Sequence, residues 1–248
     1  IIWIKNTIAK SIDTKNKVVN LEDESIKYDK LLIATGAKSF IPPIKNIKEG
    51  NNIYSLRDIE DVFYIKEKIK KSKKVAIIGA GLIGIDVLTS LLEINNLEVS
   101  LIYPNDYILD LQLDEYSAKI YERKFIERGA KLYSSLPVNQ IILDDNKNVK
   151  GVELGDNSIV KCDLLIVATG VRPNTEILRN TDIEENRGIV INNKCETSAK
   201  EIYAAGDVVG KNAICPLAVK QGSVAAYNMA GIEKMLDELD KKYLITDI

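Results

Sequence analysis

Apolar and polar positions alternate in short runs at the start of this chain and lengthen into helical periods and unbroken apolar stretches in its middle. Residues 2–8, 17–21 and 26–33 each read as a strand. Polar turns at 13–16 and 22–24 separate them, which predicts a small antiparallel meander. Pro42 and Pro43 break the chain. Residues 58–70 carry a helical period, with Ile59, Val62, Ile65 and Ile69 on one face. Next come an apolar strand over 74–78, a glycine-rich turn over 79–84, a helix over 85–94 and a second apolar strand over 99–103. Unbroken apolar strands suit a parallel sheet covered on both faces, so this is a βαβ unit. A helix follows over 114–128, stopped by Gly129. Residues 138–170 then repeat the opening layout, with strands near 140–143 and 149–154 and a last one running into Gly170. Strands at 188–191 and 201–209, a helix over 217–231 and an amphipathic tail helix to about residue 244 complete an α/β reading.

Within that pattern one motif occurs twice. Asp29 opens a strand that closes in Ala34-Thr35-Gly36, and Asp163 opens one that closes in Ala168-Thr169-Gly170. Both copies read D-x-L-[LI]-[IV]-A-T-G. Small residues at a strand's exit let another group come close to the backbone, so two such exits suggest two cofactor sites. Only one glycine fingerprint lies between them: Gly79, Gly81 and Gly84, in a turn that leaves a strand and opens a helix. That context gives the motif weight. The first glycine permits the tight turn, the second lets backbone approach a pyrophosphate, and the third lets helix pack on strand. Amides at the helix start, from Leu82 and Ile83 onward, attract the phosphates.

At the end of the second strand of such a unit an acid normally binds the adenosine ribose, and an arginine nearby marks NADP. Here Tyr103 stands in the acid position and no arginine follows in the turn, which favours NADH. Asp106 reads either as a displaced ribose ligand or as a solvated turn residue.

Composition narrows the chemistry. The 248 residues are 46% hydrophobic and 28% charged, values of an ordinary globular protein. With 34 basic and 36 acidic side chains the net charge is -2, which argues against nucleic acid or an anionic membrane as partner. No apolar run reaches the length of a membrane span and no signal peptide is legible, so the expectation is a soluble, cytoplasmic protein. Histidine is absent, which removes histidine-dependent triads and histidine metal sites. Cys162, Cys195 and Cys215 are widely spaced and read as packing residues, not as a redox pair or metal site. Any redox chemistry must come from a cofactor.

Taken together, the motifs resemble the pyridine-nucleotide–disulfide oxidoreductase superfamily of FAD- and NAD(P)H-dependent flavoproteins. The resemblance covers roughly residues 1–231. It rests on Tyr28-Asp29 with Ala34-Thr35-Gly36, on the 79–84 fingerprint with Asp86, on Asp163 with Gly170, and on Ala205-Gly206-Asp207 ahead of a helix containing Gln221-Gly222. The stretch from Leu111 to Asp114 with Glu127, Arg128 and Gly129 is most similar to the flavoprotein module of NADH-dependent nitrite reductases, and to rubredoxin reductase and NADH oxidase relatives.

The resemblance implies a Rossmann-like NAD-binding domain inserted in an incomplete FAD-binding domain of the glutathione-reductase type. Residues 1–56 and 174–231 would form the FAD side, 57–173 the NAD(H) side and 232–248 a tail. Ala34, Thr35, Gly36 and Arg57 would contact FAD, Gly206 and Asp207 would hold its ribityl–pyrophosphate region, and Pro216 and Leu217 would open a helix facing the flavin. Asp86 and Gly170 would lie near the nicotinamide. The family's first FAD-binding βαβ is expected to be missing, as is its interface domain. The leading expectation is hydride transfer from NADH to FAD and on to an unidentified acceptor, protein or small molecule. The alternative is a non-catalytic NADH-binding module that docks on a partner or on the missing FAD unit; a purely structural fragment ranks last. Homo-oligomerisation stays open.

Overall fold

A computed structural model describes residues 1–210 and 214–237. In chain order its strands are β1 (Ser11–Asp13), β2 (Val18–Asn20), β3 (Ser25–Lys27), β4 (Leu31–Ile33), β5 (Ala37–Ser39) and β6 (Ile53–Ser55). Helix α1 (Ile59–Ile69), β7 (Lys74–Ile78), α2 (Leu82–Leu91), β8 (Glu98–Ile102), α3 (Glu115–Glu127) and β9 (Lys131–Tyr133) follow. Then come β10 (Val138–Leu143), β11 (Val149–Leu154), β12 (Ile159–Lys161), β13 (Leu164–Val167), β14 (Val171–Pro173), β15 (Ile202–Ala204) and α4 (Cys215–Met229). These elements group into two compact units, 1–38 with 172–248, and 39–171.

In the second unit a five-stranded parallel sheet has the order β6-β13-β7-β8-β9. Alternate residues of its strands enter two different cores, because successive side chains of a strand point to opposite faces. Val75, Ile77, Leu101, Leu164 and Ile166 pack with Ile65, Leu88, Ala118 and Phe125 of the helices. Ala76, Ile78, Ile102, Leu165 and Val167 pack with Ile141, Val152, Leu154 and Val160 of the antiparallel sheet β10-β11-β12. The solid apolar runs of β7 and β13 are therefore used on both sides, as the sequence predicts for β7.

Residues 39–56 group with this unit, ahead of the boundary expected at 57, because β6 is a strand of its sheet and Ile47 is buried in its core. Helix α1 forms where expected but turns its apolar side differently. Ile65 is buried and Ile69 packs against the core, while Ile59 and Val62 are 59% and 41% exposed.

In the first unit β1, β2 and β3 form the expected antiparallel meander, and β4 pairs in parallel with β15. Ile12, Ile33, Ile189, Ile202, Ala204 and Val208 form its main core, and Cys195, Tyr203, Val224 and Ala225 a smaller one under α4. Four strand expectations are corrected here. Residues 2–8 form no strand and are exposed; among the described residues no strand pairs with them. The run 26–33 is divided between β3 and β4, in different sheets, because the chain turns at Asp29. Residues 188–191 contribute one isolated bridge, Glu185 to Ile189, and residues 206–209 form a 3-10 turn after β15. Most of the tail helix expected to residue 244 lies outside the described residues. Among the described residues no helix is long and apolar enough to cross a membrane.

Candidate functional site: two strand exits and a glycine turn

The glycine turn of the second unit lies at the C-terminal end of β7, between that strand and α2. Gly79 has φ +107°, a region that L side chains rarely adopt, and a Cβ there would strike the Ala168 carbonyl, whose carbon would be 2.7 Å away. A Cβ on Gly84 would collide with the carbonyl of Gly79, its carbon at 2.9 Å, and touch Ala168 Cβ at 3.6 Å. Both glycines are therefore required by the protein's own packing. Gly81 is different. Its φ is -78°, and a Cβ there meets nothing within 4 Å. The fold gives no reason for glycine at this position; close approach by something outside the fold does.

Gly81 is also the N-cap of α2 and offers no side chain to its first-turn amides. Leu82 and Ile83, in that first turn, are 50% and 47% exposed. Uncapped amides and the positive end of the helix dipole make an anion site. Asp86 lies one turn further along α2 and is exposed. Gly170, φ +97°, ends the neighbouring exit Ala168-Thr169-Gly170, which runs beside the glycine turn through Ala168. Arg57 precedes α1 in this unit, exposed, with its backbone N–H donating to Asp61 Oδ2 at 2.7 Å.

One expectation at this site is corrected. Tyr103 follows β8 but is buried, and its hydroxyl donates to Glu122 Oε1 at 2.9 Å. Burial first, and the Glu122 carboxylate second, hold its phenol well above the usual tyrosine range. Its side chain is committed to the core and to Glu122. Glu122 escaped the sequence reading, although a signal existed: it shares the buried stripe of α3 with Ala118 and Phe125, an unusual place for a carboxylate.

In the first unit Ala34-Thr35-Gly36 and Gly206-Asp207 follow two adjacent parallel strands, β4 and β15, and so lie at the same end of the ladder. Ala34 and Thr35 are exposed, and Gly36, φ +68°, has open space where a Cβ would stand. Gly206, φ +81°, donates its N–H to Oε1 of the buried Gln221 on α4 at 2.8 Å, which fixes the turn carrying Asp207. Pro216 and Leu217 lie in the first turn of α4, where proline is well placed because the amide it lacks would be unpaired anyway. These small exits, the open glycine and the helix start fit a flavin nucleotide lying along them.

The two exits share a two-bond anchor, to which Asn174 adds a third bond from its Nδ2 to the Thr35 carbonyl at 2.9 Å. Thr35 Oγ1 donates to the Asn174 carbonyl at 2.7 Å, and Asn174 N–H donates to the Gly36 carbonyl at 2.9 Å. Thr169 Oγ1 donates to the Phe40 carbonyl at 2.7 Å, and Phe40 N–H donates to the Gly170 carbonyl at 2.9 Å. Asn174 and Phe40 carry no motif of their own, so only the repeated threonine pointed to this clamp.

Comparison with known proteins agrees with this geometry. Residues 1–222 match the family described as "Pyridine nucleotide-disulphide oxidoreductase". The chain is 35% identical over 241 residues to the NADH-rubredoxin oxidoreductase of Clostridium acetobutylicum, covering 95% of this chain and 59% of that protein. It is 31% identical over 238 residues to the nitrite reductase [NAD(P)H] of Bacillus subtilis, covering 94% of this chain and 29% of that one. Among solved structures, an NAD-dependent persulfide reductase from A. fulgidus superposes with a TM-score of 0.85 at 29% identity, over 92% of this chain and 45% of that one. The chain thus spans between about a third and three fifths of these relatives' lengths. The fold, the fingerprint and the match over residues 1–222 lead to one conclusion: this chain belongs to the pyridine nucleotide-disulphide oxidoreductase family.

Proposed function

We propose that this chain is the nucleotide-binding core of an NADH-dependent flavoprotein oxidoreductase. Residues 39–171 would bind NADH and the remaining unit would hold FAD. When bound, the two cofactors supply hydride transfer from nicotinamide to flavin, and electrons pass on to an acceptor protein or small molecule. Such transfer needs no side-chain base, which accords with a chain lacking histidine. The residues' work is placement. Gly79, Gly81 and Gly84 would admit the pyrophosphate, the Leu82 and Ile83 amides would receive its charge, and Asp86 and Gly170 would lie toward the nicotinamide. Ala34, Thr35, Gly36, Gly206 and Asp207 would line the flavin nucleotide, with Pro216 and Leu217 contributing to its surroundings.

The carrying observation is Gly81, a glycine with no internal reason to be one. Its test is Gly81→Ser. Serine is a good N-cap, so thermal stability should hold or rise by a few tenths of a kcal/mol. A side chain in the pyrophosphate's path should weaken NADH binding at least tenfold, read by quenching of protein fluorescence. Unchanged NADH affinity would refute the assignment.

A second reading has its own support. Asp163 accepts N–H bonds from Lys73 and Lys74 at the start of β7, at 2.9 and 3.3 Å, and Ala168 packs under the glycine turn at that strand's end. Asp29 and Ala34 hold the same positions on β4, yet among the described residues β4 pairs only with β15. This favours a module that docks onto a separate strand and glycine turn, supplied by a partner or by further chain. Mass spectrometry of the denatured protein separates the readings: co-purified FAD supports the enzyme, and nucleotide without flavin supports the docking module.

A further inference from the structure

The adenosine end of a dinucleotide falls at the C-terminal end of the second parallel strand, here β8, and coenzyme choice at that end rests on the proposal that residues 39–171 bind NADH. An acid at the strand's end usually receives the ribose 2′-hydroxyl. Here that position is Tyr103, which is 2% exposed and bonded to Glu122. Glu122 is 7% exposed; its Oε1 also accepts from Ile108 N–H at 3.1 Å, and its Oε2 pairs with Lys119 Nζ at 3.0 Å. The strand end therefore offers the ribose no side chain.

The loop beyond β8 is fixed from three directions. Leu109 N–H donates to the Ala80 carbonyl at 2.9 Å, which ties the loop to the glycine turn. Ser135, just beyond β9, donates its N–H to the Asn105 carbonyl at 3.0 Å and its hydroxyl to Asp106 Oδ1 at 2.8 Å. From α3, Lys119 Nζ donates to the Asp106 carbonyl at 2.9 Å. Asn105 Nδ2 braces the loop internally by donating to Asp110 Oδ2 at 2.6 Å. Residues 104–113 carry two exposed carboxylates, Asp106 and Asp110, and no lysine or arginine. Lys119 reaches the loop, and its ammonium is already shared between Glu122 and a backbone carbonyl.

We infer that coenzyme choice in this chain is made by Asp106 and Asp110 on a preformed loop, with Lys119 neutralised by the buried Glu122. The site then admits the 2′-hydroxyl of NADH and repels the 2′-phosphate of NADPH. Ser135 occupies one oxygen of Asp106, and the other can accept from the ribose hydroxyl. The device differs from a strand-end acid because it acts through net negative charge at the ribose and through the sequestering of a nearby cation.

Titrating the whole chain with NADH and with NADPH at low ionic strength tests this. Asp106→Asn keeps an acceptor for Ser135 and should lower the ratio of NADPH to NADH dissociation constants about tenfold; Asp106→Arg should lower it about a hundredfold. Glu122→Gln, which releases Lys119, should lower it about three- to tenfold through a residue outside the loop. All three effects should shrink in 0.5 M salt, roughly, because exposed charges are screened there. An unchanged ratio in both Asp106→Asn and Glu122→Gln, with NADH still bound, overturns the inference and leaves the NADH reading standing. An unsubstituted chain that binds neither nucleotide overturns both.

Discussion

Strands β4 and β13 start with the same aspartate, end with the same Ala-Thr-Gly and carry the same two-bond clamp, yet only β13 is fully employed. Its aspartate receives the amides that open β7, its alanine lies beneath the glycine turn that closes β7, and all four of its residues are buried. On β4 the corresponding Asp29 and Ala34 are exposed. The lesson concerns what the repeated residues are for. Threonine and glycine shape the exit itself, and they work wherever the motif occurs. Aspartate and alanine serve a neighbouring strand, and their use shows whether that neighbour is present.

The comparison is most exposed to attack at the glycines. Gly79→Ala or Gly84→Ala forces a side chain against backbone and should cost several kcal/mol of the second unit's stability, seen by differential scanning calorimetry. Gly36→Ala meets no obstacle and should cost only about 1–2 kcal/mol for its left-handed backbone. Equal losses at all three would mean that the glycine turn does not interlock with Ala168. Next in size, Asp163→Ala should destabilise by about 1–3 kcal/mol because two strand-opening amides lose a charged acceptor, while Asp29→Ala should stay within about 0.5 kcal/mol in urea melts.

The residue before each aspartate sharpens the contrast through pH. Burial pushes the Cys162 thiol up to about 12 from its ordinary 9, and it raises the Tyr28 phenol above its ordinary 10. Between pH 9 and 12 the unfolded chain has released the Cys162 proton and the folded chain has kept it, so stability is full below pH 9 and falls as pH rises. The slope attributable to Cys162 should be about 1 kcal/mol per pH unit, and Cys162→Ala should remove it. The Tyr28 contribution has the same sign and should begin about one unit higher, since tyrosine's ordinary value is about 10. The smallest effect is at the clamp. Thr169→Val should cost about 1 kcal/mol and Thr35→Val rather less, because the second bond is exposed to water.

Much of the second unit was legible because its signals are local. Spacing of apolar residues and of three glycines fixes a strand, a turn and a helix within one short segment. What escaped depends on distant partners. Residues 2–8 alternate like a strand, but among the described residues no strand pairs with them. The 26–33 run is continuous in hydrophobicity and yet feeds two sheets. Tyr103 occupies a ligand position by order along the chain, but a carboxylate from α3, nineteen residues away, draws it inward. The face of α1 was misread because Ile59 and Val62 have the right spacing, while the sheet beneath accepts only Ile65 and Ile69.

Gly79 and Gly84 occupy each other's space through a carbonyl, whereas Gly81 is held by nothing inside the protein. On the proposed function the three glycines answer to different demands, the outer pair to packing and Gly81 to the nucleotide. In a lineage that ceased to bind the nucleotide, Gly81 would be free to drift first, and the outer pair would persist for as long as the chain still folded. Among descendants of this chain, the residue at position 81 would record when the nucleotide was lost, while positions 79 and 84 would record only that the sheet had survived.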